Sequence, residues 1–315
     1  MPIANVAFME RMVHYLERHG VTHIVMASGY LPEPIERHFA EHPCSAKIDF
    51  VVEESPLGTG GAIKNAEHLL SNQFFVFNGD VLTAIDLNDL LQFHDDSSAD
   101  ATIALTPVED PTLYGVVETA LDGRIQRFLE KPKIEEVTTN YINAGIYVYQ
   151  RHLLDLIPDD QEFSVEHELY PTLLQKGRPI YGKPFNDYWI DIGTIDKYMR
   201  ANLDALDRRA GIDLPQTQPN LDLGVRVQLN PPILTGPGCR IEQDAEIGPR
   251  VVLGSGVEVG AGARITKAIL WDECIVEPHA VVDCSVLGSG CRVREGARTE
   301  PMRAYGNSAI IEKSS

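Results

Sequence analysis

Two aspartates stand where short apolar stretches end: Asp80 in Phe77-Asn78-Gly79-Asp80, and Asp191 in Trp189-Ile190-Asp191-Ile192-Gly193-Thr194. In an open parallel sheet, ligands bind beyond the carboxyl ends of the strands, so both carboxylates are placed to meet one. Their hard oxygens suit magnesium, and two of them could share one ion that bridges phosphates. Asn-Gly-Asp also reads simply as a turn, and Asp191 as a helix cap, although Thr194 sits nearer the helix start. The glycine-rich run Pro56-Leu57-Gly58-Thr59-Gly60-Gly61-Ala62 joins a predicted strand to a predicted helix. Such a turn either offers backbone N–H groups to an anionic or planar ligand or is a plain tight connection. Ser55 and Thr59 would otherwise pass as turn and cap residues. In Phe128-Leu129-Glu130-Lys131-Pro132, Glu130 suits sugar hydroxyls and Lys131 a phosphate, provided that Pro132 bends the chain. A surface ion pair is the plainer alternative. Asn143-Ala144-Gly145 interrupts an apolar strand, and glycine there permits close approach of a ligand to the backbone.

These residues need a scaffold, and the first 210 residues alternate helix and strand signals. Phe8, Met9, Met12, Val13 and Leu16 repeat at helical spacing, with Gly20 as a stop. A strand follows at 22–26, a helix at 33–41, a strand at 48–52, a helix at 62–70, a strand at 74–77 and a helix at 87–94. Apolar strands separated by helices predict a mostly parallel sheet covered on both faces. From Thr102 the rhythm changes to strand signals near 102–106, 114–118, 125–129 and 141–149, which predicts an antiparallel insertion. Helices are expected at 166–176 and 194–209, with strands around Ile180 and Trp189. The polar stretch Asp213-Leu214-Pro215-Gln216-Thr217-Gln218-Pro219 then reads as a linker. It divides a first domain, 1–212, from a second, 220–315.

The second domain repeats every six residues. Ile241, Ile247, Leu253, Val259 and Ile265 are in phase, and Cys239, Ala245, Val251, Val257 and Ala263 precede each by two. Two inward residues in six, with glycine at several corners, predict a parallel β-helix. The phase slips after Ile265, resumes at Val276 and Val282, and slips again before Val293. Its exposed coil ends and flat faces predict self-association into a homo-oligomer.

Composition limits the partners. The chain of 315 residues carries 27 basic and 46 acidic side chains, a net charge of −19. Residues 1–214 contribute −17 of it and 215–315 contribute −2. Such an acidic body repels nucleic acid and anionic membranes, so any bound phosphate must be small and locally held. No run approaches the roughly 18 apolar residues of a membrane helix, and the opening Met1-Pro2-Ile3-Ala4-Asn5 predicts no signal peptide. Five cysteines without a CxxC pair predict neither a disulfide framework nor a zinc site, and point to a reducing cytoplasm.

Taken in order, LGTGGA, FNGD, YGVV, FLEKP, NAGIY, WIDIGT and the hexapeptide repeats resemble the sugar-phosphate nucleotidylyltransferases, with the mannose-1-phosphate guanylyltransferases closest. The resemblance implies a Rossmann-like, mostly parallel sheet followed by a left-handed parallel β-helix. It also implies a reaction that joins a sugar 1-phosphate to a nucleoside triphosphate and releases pyrophosphate, with Mg2+. By motif, Glu53, Leu57, Gly58, Thr59, Asn78 and Gly79 would hold the nucleotide. Gly115, Glu130, Asn143 and Gly145 would hold the sugar, Lys131 its phosphate, and Asp80 and Asp191 the metal. A carboxylate at Glu53, or equally at Glu54, accepts the N1–H and amino donors of guanine and suits neither uracil nor thymine, which favours GTP.

The family opens with a strand and a G-G-x-G-T-R loop followed by Pro-Lys, and this sequence starts at what resembles the segment after that lysine. The expectation for the 315 residues alone is weak sugar-phosphate binding and negligible turnover. Three other readings stand beside the guanylyltransferase: a non-catalytic subunit that senses sugar nucleotides, a glucose-1-phosphate thymidylyl- or uridylyltransferase, and an acyltransferase. The last needs a catalytic histidine, and His279, the only one beyond the linker, reads as a coil-surface residue.

Overall fold

A computed structural model describes residues 1–28, 33–53, 55–215 and 221–313. Glu54 and the linker residues 216–220 therefore lie outside the described residues. The chain is mixed α/β: a Rossmann-like sheet region followed by a parallel β-helix. Its contacts group into two compact units that do not follow chain order. One contains Met9–Val81 and Ile85–Trp189; the other contains Met1–Phe8, Leu82–Ala84 and Ile190–Ser315.

In the unit built around Met9–Trp189, strand His23–Ser28 runs parallel to Lys47–Val52. A six-stranded sheet runs Ile180–Pro184, Ala101–Pro107, Tyr141–Gln150, Gly115–Thr119, Ile125–Glu130, with Gln73–Phe77 also paired to Tyr141–Gln150. Ile180–Pro184 is parallel to Ala101–Pro107. The expected antiparallel insertion is present: Tyr141–Gln150 is antiparallel to Gln73–Phe77, Ala101–Pro107 and Gly115–Thr119, which is antiparallel to Ile125–Glu130. Residues Ala144 to Tyr149 of the central strand are all buried. Helix Leu87–Asp96 starts where Asp86 accepts the Asn88 N–H, and it buries Leu87, Leu90 and His94.

Two helices differ from expectation. The helix expected at 62–70 already begins at Gly58 and spans Gly58–Asn65, with a 3₁₀ turn at Glu67–Leu69. The helix expected at 166–176 opens as a π-turn, Val165–Leu169, and continues as α-helix only over Tyr170–Gln175. Pro171 has no N–H to give the carbonyl four residues back, which favours the wider turn.

The other unit contains three parallel sheets of six, four and five strands among the described residues, each strand two or three residues long. Cys239, Ala245, Val251, Val257 and Ala263 are buried with Ile241, Ile247, Leu253, Val259 and Ile265, as the repeat predicts. The slip in phase is a shorter coil: Ile247 pairs with Ile265, whereas Ile265 pairs with Val282, one residue sooner. His279 sits exposed at a corner with φ +60, as expected of a coil-surface residue. Helix Ile195–Leu206 belongs to this unit, and its Tyr198 hydroxyl accepts from Trp271 Nε1 at 2.9 Å. Buried Asn202 accepts the Ala4 N–H at 2.8 Å, so Met1–Phe8 packs with the same helix. Among the described residues no helix is long and apolar enough to cross a membrane.

Because each coil of the β-helix contacts only its neighbours, a hole in one coil has little chance to collapse. Ile265→Ala, at a fully buried position, is expected to lower unfolding free energy by about 2–5 kcal/mol. Exposed Arg240→Ala should change it by less than about 0.5 kcal/mol. Urea unfolding of both variants checks the contrast.

Candidate active site

The site grows from a break in the central strand. Tyr141–Gln150 pairs with Ala101–Pro107 up to Asn143, and the register shifts before Tyr147. Gly145 has φ +71, a conformation that glycine takes without a steric penalty. A Cβ there would lie 2.8 Å from Asn78 Nδ2, so this glycine is what lets the Asn78 side chain press against the strand. The freed backbone groups are met by the motifs themselves. Asn78 N–H donates to the Gly145 carbonyl at 2.8 Å. Gly145 N–H donates to Asn143 Oδ1 at 3.0 Å, and Trp189 Nε1 donates to the Ala144 carbonyl at 2.8 Å. Asn143 Nδ2 in turn donates to the Tyr147 hydroxyl. Three motifs that are distant in sequence thus meet at one bulge. Asn78, Gly79 and Asp80 are exposed there.

The next wall is the edge hairpin. Gly115 lies opposite Glu130, and a Cβ at Gly115 would be 2.7 Å from the Phe128 ring and 2.9 Å from Glu130 Oε2. The bend expected from Pro132 is made by Lys131 itself, at φ +46, with its N–H on the Tyr114 carbonyl. Lys131 Nζ lies 3.8 Å from Glu130 Oε1, and the lysine is largely exposed. Glu130 is mostly covered, and burial pushes its carboxyl above the usual range. The nearby charge of Glu166 adds to this, while Lys131 and His167 oppose it.

The glycine-rich segment is arranged differently from an open anion cradle. Gly60 and Gly61 donate their N–H groups to the Phe163 carbonyl at 2.8 and 3.2 Å. A Cβ at Gly58 would meet that carbonyl oxygen at 2.8 Å, and one at Gly60 the Phe163 ring at 2.7 Å. The glycines therefore serve close packing on the segment around Phe163. Leu57 is buried, its carbonyl takes the Phe163 N–H, and its own N–H donates to Glu53 Oε2 at 3.0 Å. Thr59 is locked on both sides: its hydroxyl donates to Glu166 Oε2 and accepts the Val165 N–H, each at 2.9 Å.

Glu166 is a site residue that the sequence reading missed. Its only local signal is the Ser164 cap of a coming helix, since its partner Thr59 lies 107 positions away. Beneath it the Tyr149 and Tyr170 hydroxyls share a 2.6 Å bond, and Phe128 packs on Tyr170.

The two aspartates fall in different compact units. The buried Oδ1 of Asp191 lies 2.6 Å from Lys197 Nζ, so a lysine already neutralises this carboxylate. The Thr194 hydroxyl donates to Asp196, and helix Ile195–Leu206 starts without a side-chain cap from Asp191. Carboxylate oxygens are the donors that magnesium prefers. The donor chemistry thus fits a divalent ion, with Lys197 as the cation it would displace at Asp191. Among the described residues no three such ligands cluster.

A nucleotidyl transferase family model matches residues 1–208, and a GMPPB C-terminal domain model matches 229–315. The chain is 36% identical to a mannose-1-phosphate guanylyltransferase of Mycobacterium tuberculosis, over 90% of this chain and 76% of that protein. It is 29% identical to a UTP–glucose-1-phosphate uridylyltransferase of Synechocystis, over 98% of this chain and 82% of the relative. The solved structure of HddC from Yersinia pseudotuberculosis superposes with a TM-score of 0.57 at 30% identity, covering 64% of this chain and 87% of HddC. The chain belongs to the nucleotidyl transferase family.

Proposed function

We propose that this chain is a mannose-1-phosphate guanylyltransferase, joining mannose 1-phosphate to the guanylyl group of GTP with Mg2+ as the divalent ion. The reading rests above all on one observation. Asn78, the Asn143–Gly145 bulge, the Gly115–Glu130 pair and the turn carrying Thr59 all belong to one compact unit, held by hydrogen bonds and packing. In the reaction, an oxygen of the sugar phosphate forms a bond to the α-phosphorus of the triphosphate. The bond to the β-phosphate oxygen breaks, and its electron pair leaves with pyrophosphate. Glu130 accepts sugar hydroxyls, with Asn143 and the open backbone at Gly115 and Gly145 shaping the pocket. Lys131, exposed and in a left-handed turn, reaches the sugar phosphate. Leu57, Gly58 and Thr59 line the nucleotide side, with Asn78 and Gly79 next to them.

Nucleotidyltransferases of this family typically use a divalent metal. Asp80 in one compact unit and Asp191 in the other each offer a carboxylate that would hold such an ion, which would offset the charge on the phosphates. For the base, Glu53 already takes one backbone N–H on Oε2 and keeps acceptor capacity for guanine donors. The Synechocystis relative favours a second reading, uridylyl transfer to glucose 1-phosphate. The polar stretch between 212 and 220 remains our boundary between the two family regions. We assign the protein to the cytoplasm. Exposed Leu223, Val225, Leu229 and Ile310 on the β-helix support homo-oligomerisation.

A pyrophosphate-release assay with four nucleoside triphosphates and mannose or glucose 1-phosphate tests the substrates. With the family's G-G-x-G-T-R loop and Pro-Lys fused ahead of Met1, release with GTP and mannose 1-phosphate is expected, and release with the uridine and glucose pair alone would select the second reading. Sugar-nucleotide binding without release for any pair would identify a sensing subunit instead. Asp80→Asn should cut the rate by roughly 10²- to 10³-fold, as loss of a charge-stabilising group does.

Gly145→Ala puts a methyl group against Asn78 at a positive φ. Unfolding free energy should fall by about 1–3 kcal/mol, and sugar-phosphate affinity should fall with it. Calorimetry and urea unfolding check the two effects together.

Glu130 also predicts a pH dependence. Its folded carboxyl holds a proton more tightly than an unfolded glutamate, so its contribution to stability is greatest below about pH 4.3. That contribution is lost as pH rises through the folded value. Glu130→Gln should therefore gain stability relative to the parent between pH 4 and pH 7. Parallel urea titrations at the two pH values would show no such gain if the carboxyl were solvated.

A further inference from the structure

Glu166 lies on none of the motifs that define the site, yet it touches the nucleotide side and acts on the sugar side. Its Oε2 accepts from Thr59 Oγ1 at 2.9 Å and from Ser164 Oγ at 3.1 Å. The Val165 N–H closes the loop by donating back to Thr59 Oγ1. The same segment carries Phe163, whose carbonyl binds Gly60 and Gly61. The π-turn Val165–Leu169 sets where Glu166 points, and π-turns gather at functional positions.

We propose that Glu166 is a positioning residue that fixes the glycine-rich turn, through Thr59, to the wall that carries Glu130, so that the nucleotide and sugar subsites are held as one unit. This rests on the function proposed above. Two separable properties carry it: a hydrogen bond to Thr59, and a negative charge on the π-turn Val165–Leu169, which packs against the strand Ile125–Glu130. The groups that face Glu130 are Glu166 and His167 on the π-turn, Lys131 in the bend after its strand, and Tyr147 on the central strand. Burial is the largest influence on Glu130, and the charge of Glu166 is the next.

Substitutions separate the two properties. Glu166→Gln keeps an acceptor for Thr59 and removes the charge. Glu166→Ala removes both, and Thr59→Val keeps the charge while removing the hydroxyl that bonds both Glu166 and the Val165 N–H. Calorimetry of GTP and of mannose 1-phosphate binding, each across pH 4–8, reads the outcome. Glu166→Ala is expected to weaken both ligands by about tenfold, the scale of one charge-assisted hydrogen bond. Thr59→Val should weaken GTP by a similar factor. Glu166→Gln should leave GTP within about twofold of the parent and move the acid limb of sugar-phosphate binding to lower pH.

The ¹³C titration of the Glu130 carboxyl, followed by NMR without ligand, should move the same way in Glu166→Gln. A purely structural glutamate would leave both titrations in place. Unchanged affinities in Glu166→Ala, or an unmoved Glu130 titration in Glu166→Gln, would overturn the proposal. If the parent chain bound neither ligand, the proposed function would fall. The ligand-free titration would still decide whether Glu166 acts on Glu130.

Discussion

The site depends on a buried strand that cannot stay regular. Tyr141–Gln150 is bonded on both sides and covered on both faces, so its backbone groups have no water to turn to. Breaking the ladder at Asn143–Gly145 leaves polar groups that must be satisfied within the protein. The backbone of Asn78, the side chain of Asn143 and the indole of Trp189 each satisfy one of them. Residues of the candidate motifs are thus the ones that stabilise the break. Position and stability share the same bonds, which is why a single methyl at Gly145 is expected to disturb both.

Electrostatics adds a second constraint. The body is strongly acidic, yet the substrates of this chemistry are anions. Lys131 is the cation on the sugar side, and its left-handed backbone turns it away from the sheet beyond Glu130. Glu130 itself is covered and faces the charge of Glu166, so it binds a proton readily when nothing else fills the pocket. Hydroxyl donors from a sugar relieve that burden without adding charge. A phosphate in the same place would increase it. In the function proposed above, a ligand would therefore lie with hydroxyls against Glu130 and phosphate towards Lys131.

How much of this was legible in the sequence follows from how far apart the partners are. The β-helix was visible because its inward residues recur every six positions, and even the slip after Ile265 is a local event. The insertion strands were visible from apolar runs. The glycine-rich turn was found, but the sequence left open whether its amides serve a ligand or a tight connection, and at Gly60 and Gly61 they serve the connection. Their N–H groups belong to Phe163, about a hundred residues on, and no local pattern encodes that. The bend after Glu130 was expected from Pro132, because proline is the residue that usually restricts its neighbour, but Lys131 takes it up in its own φ. Glu166 left almost no trace, since a serine followed by glutamates reads as any helix start. Grouping helix Ile195–Leu206 with the β-helix was equally out of reach, because Trp271 and Ala4 contact it from opposite ends of the sequence.

The Phe163 carbonyl gives the arrangement its rigidity. It accepts from two consecutive amides of the glycine segment, while the Phe163 amide donates to Leu57, so the two segments are clamped in both directions. The Thr59 hydroxyl adds a second two-way link, accepting the Val165 N–H and donating to Glu166. An open glycine loop would have to order itself on each ligand and lose conformational entropy when it did. Here that entropy is already lost on folding, because the glycines pack against protein backbone. In the proposed function a nucleotide would meet a preformed edge made of Leu57, Gly58 and Thr59, and its binding energy would be left for orienting the reacting phosphates. Glycine is required at this edge for approach rather than for motion, and the same clamp that stiffens the nucleotide side carries Glu166 to the sugar side.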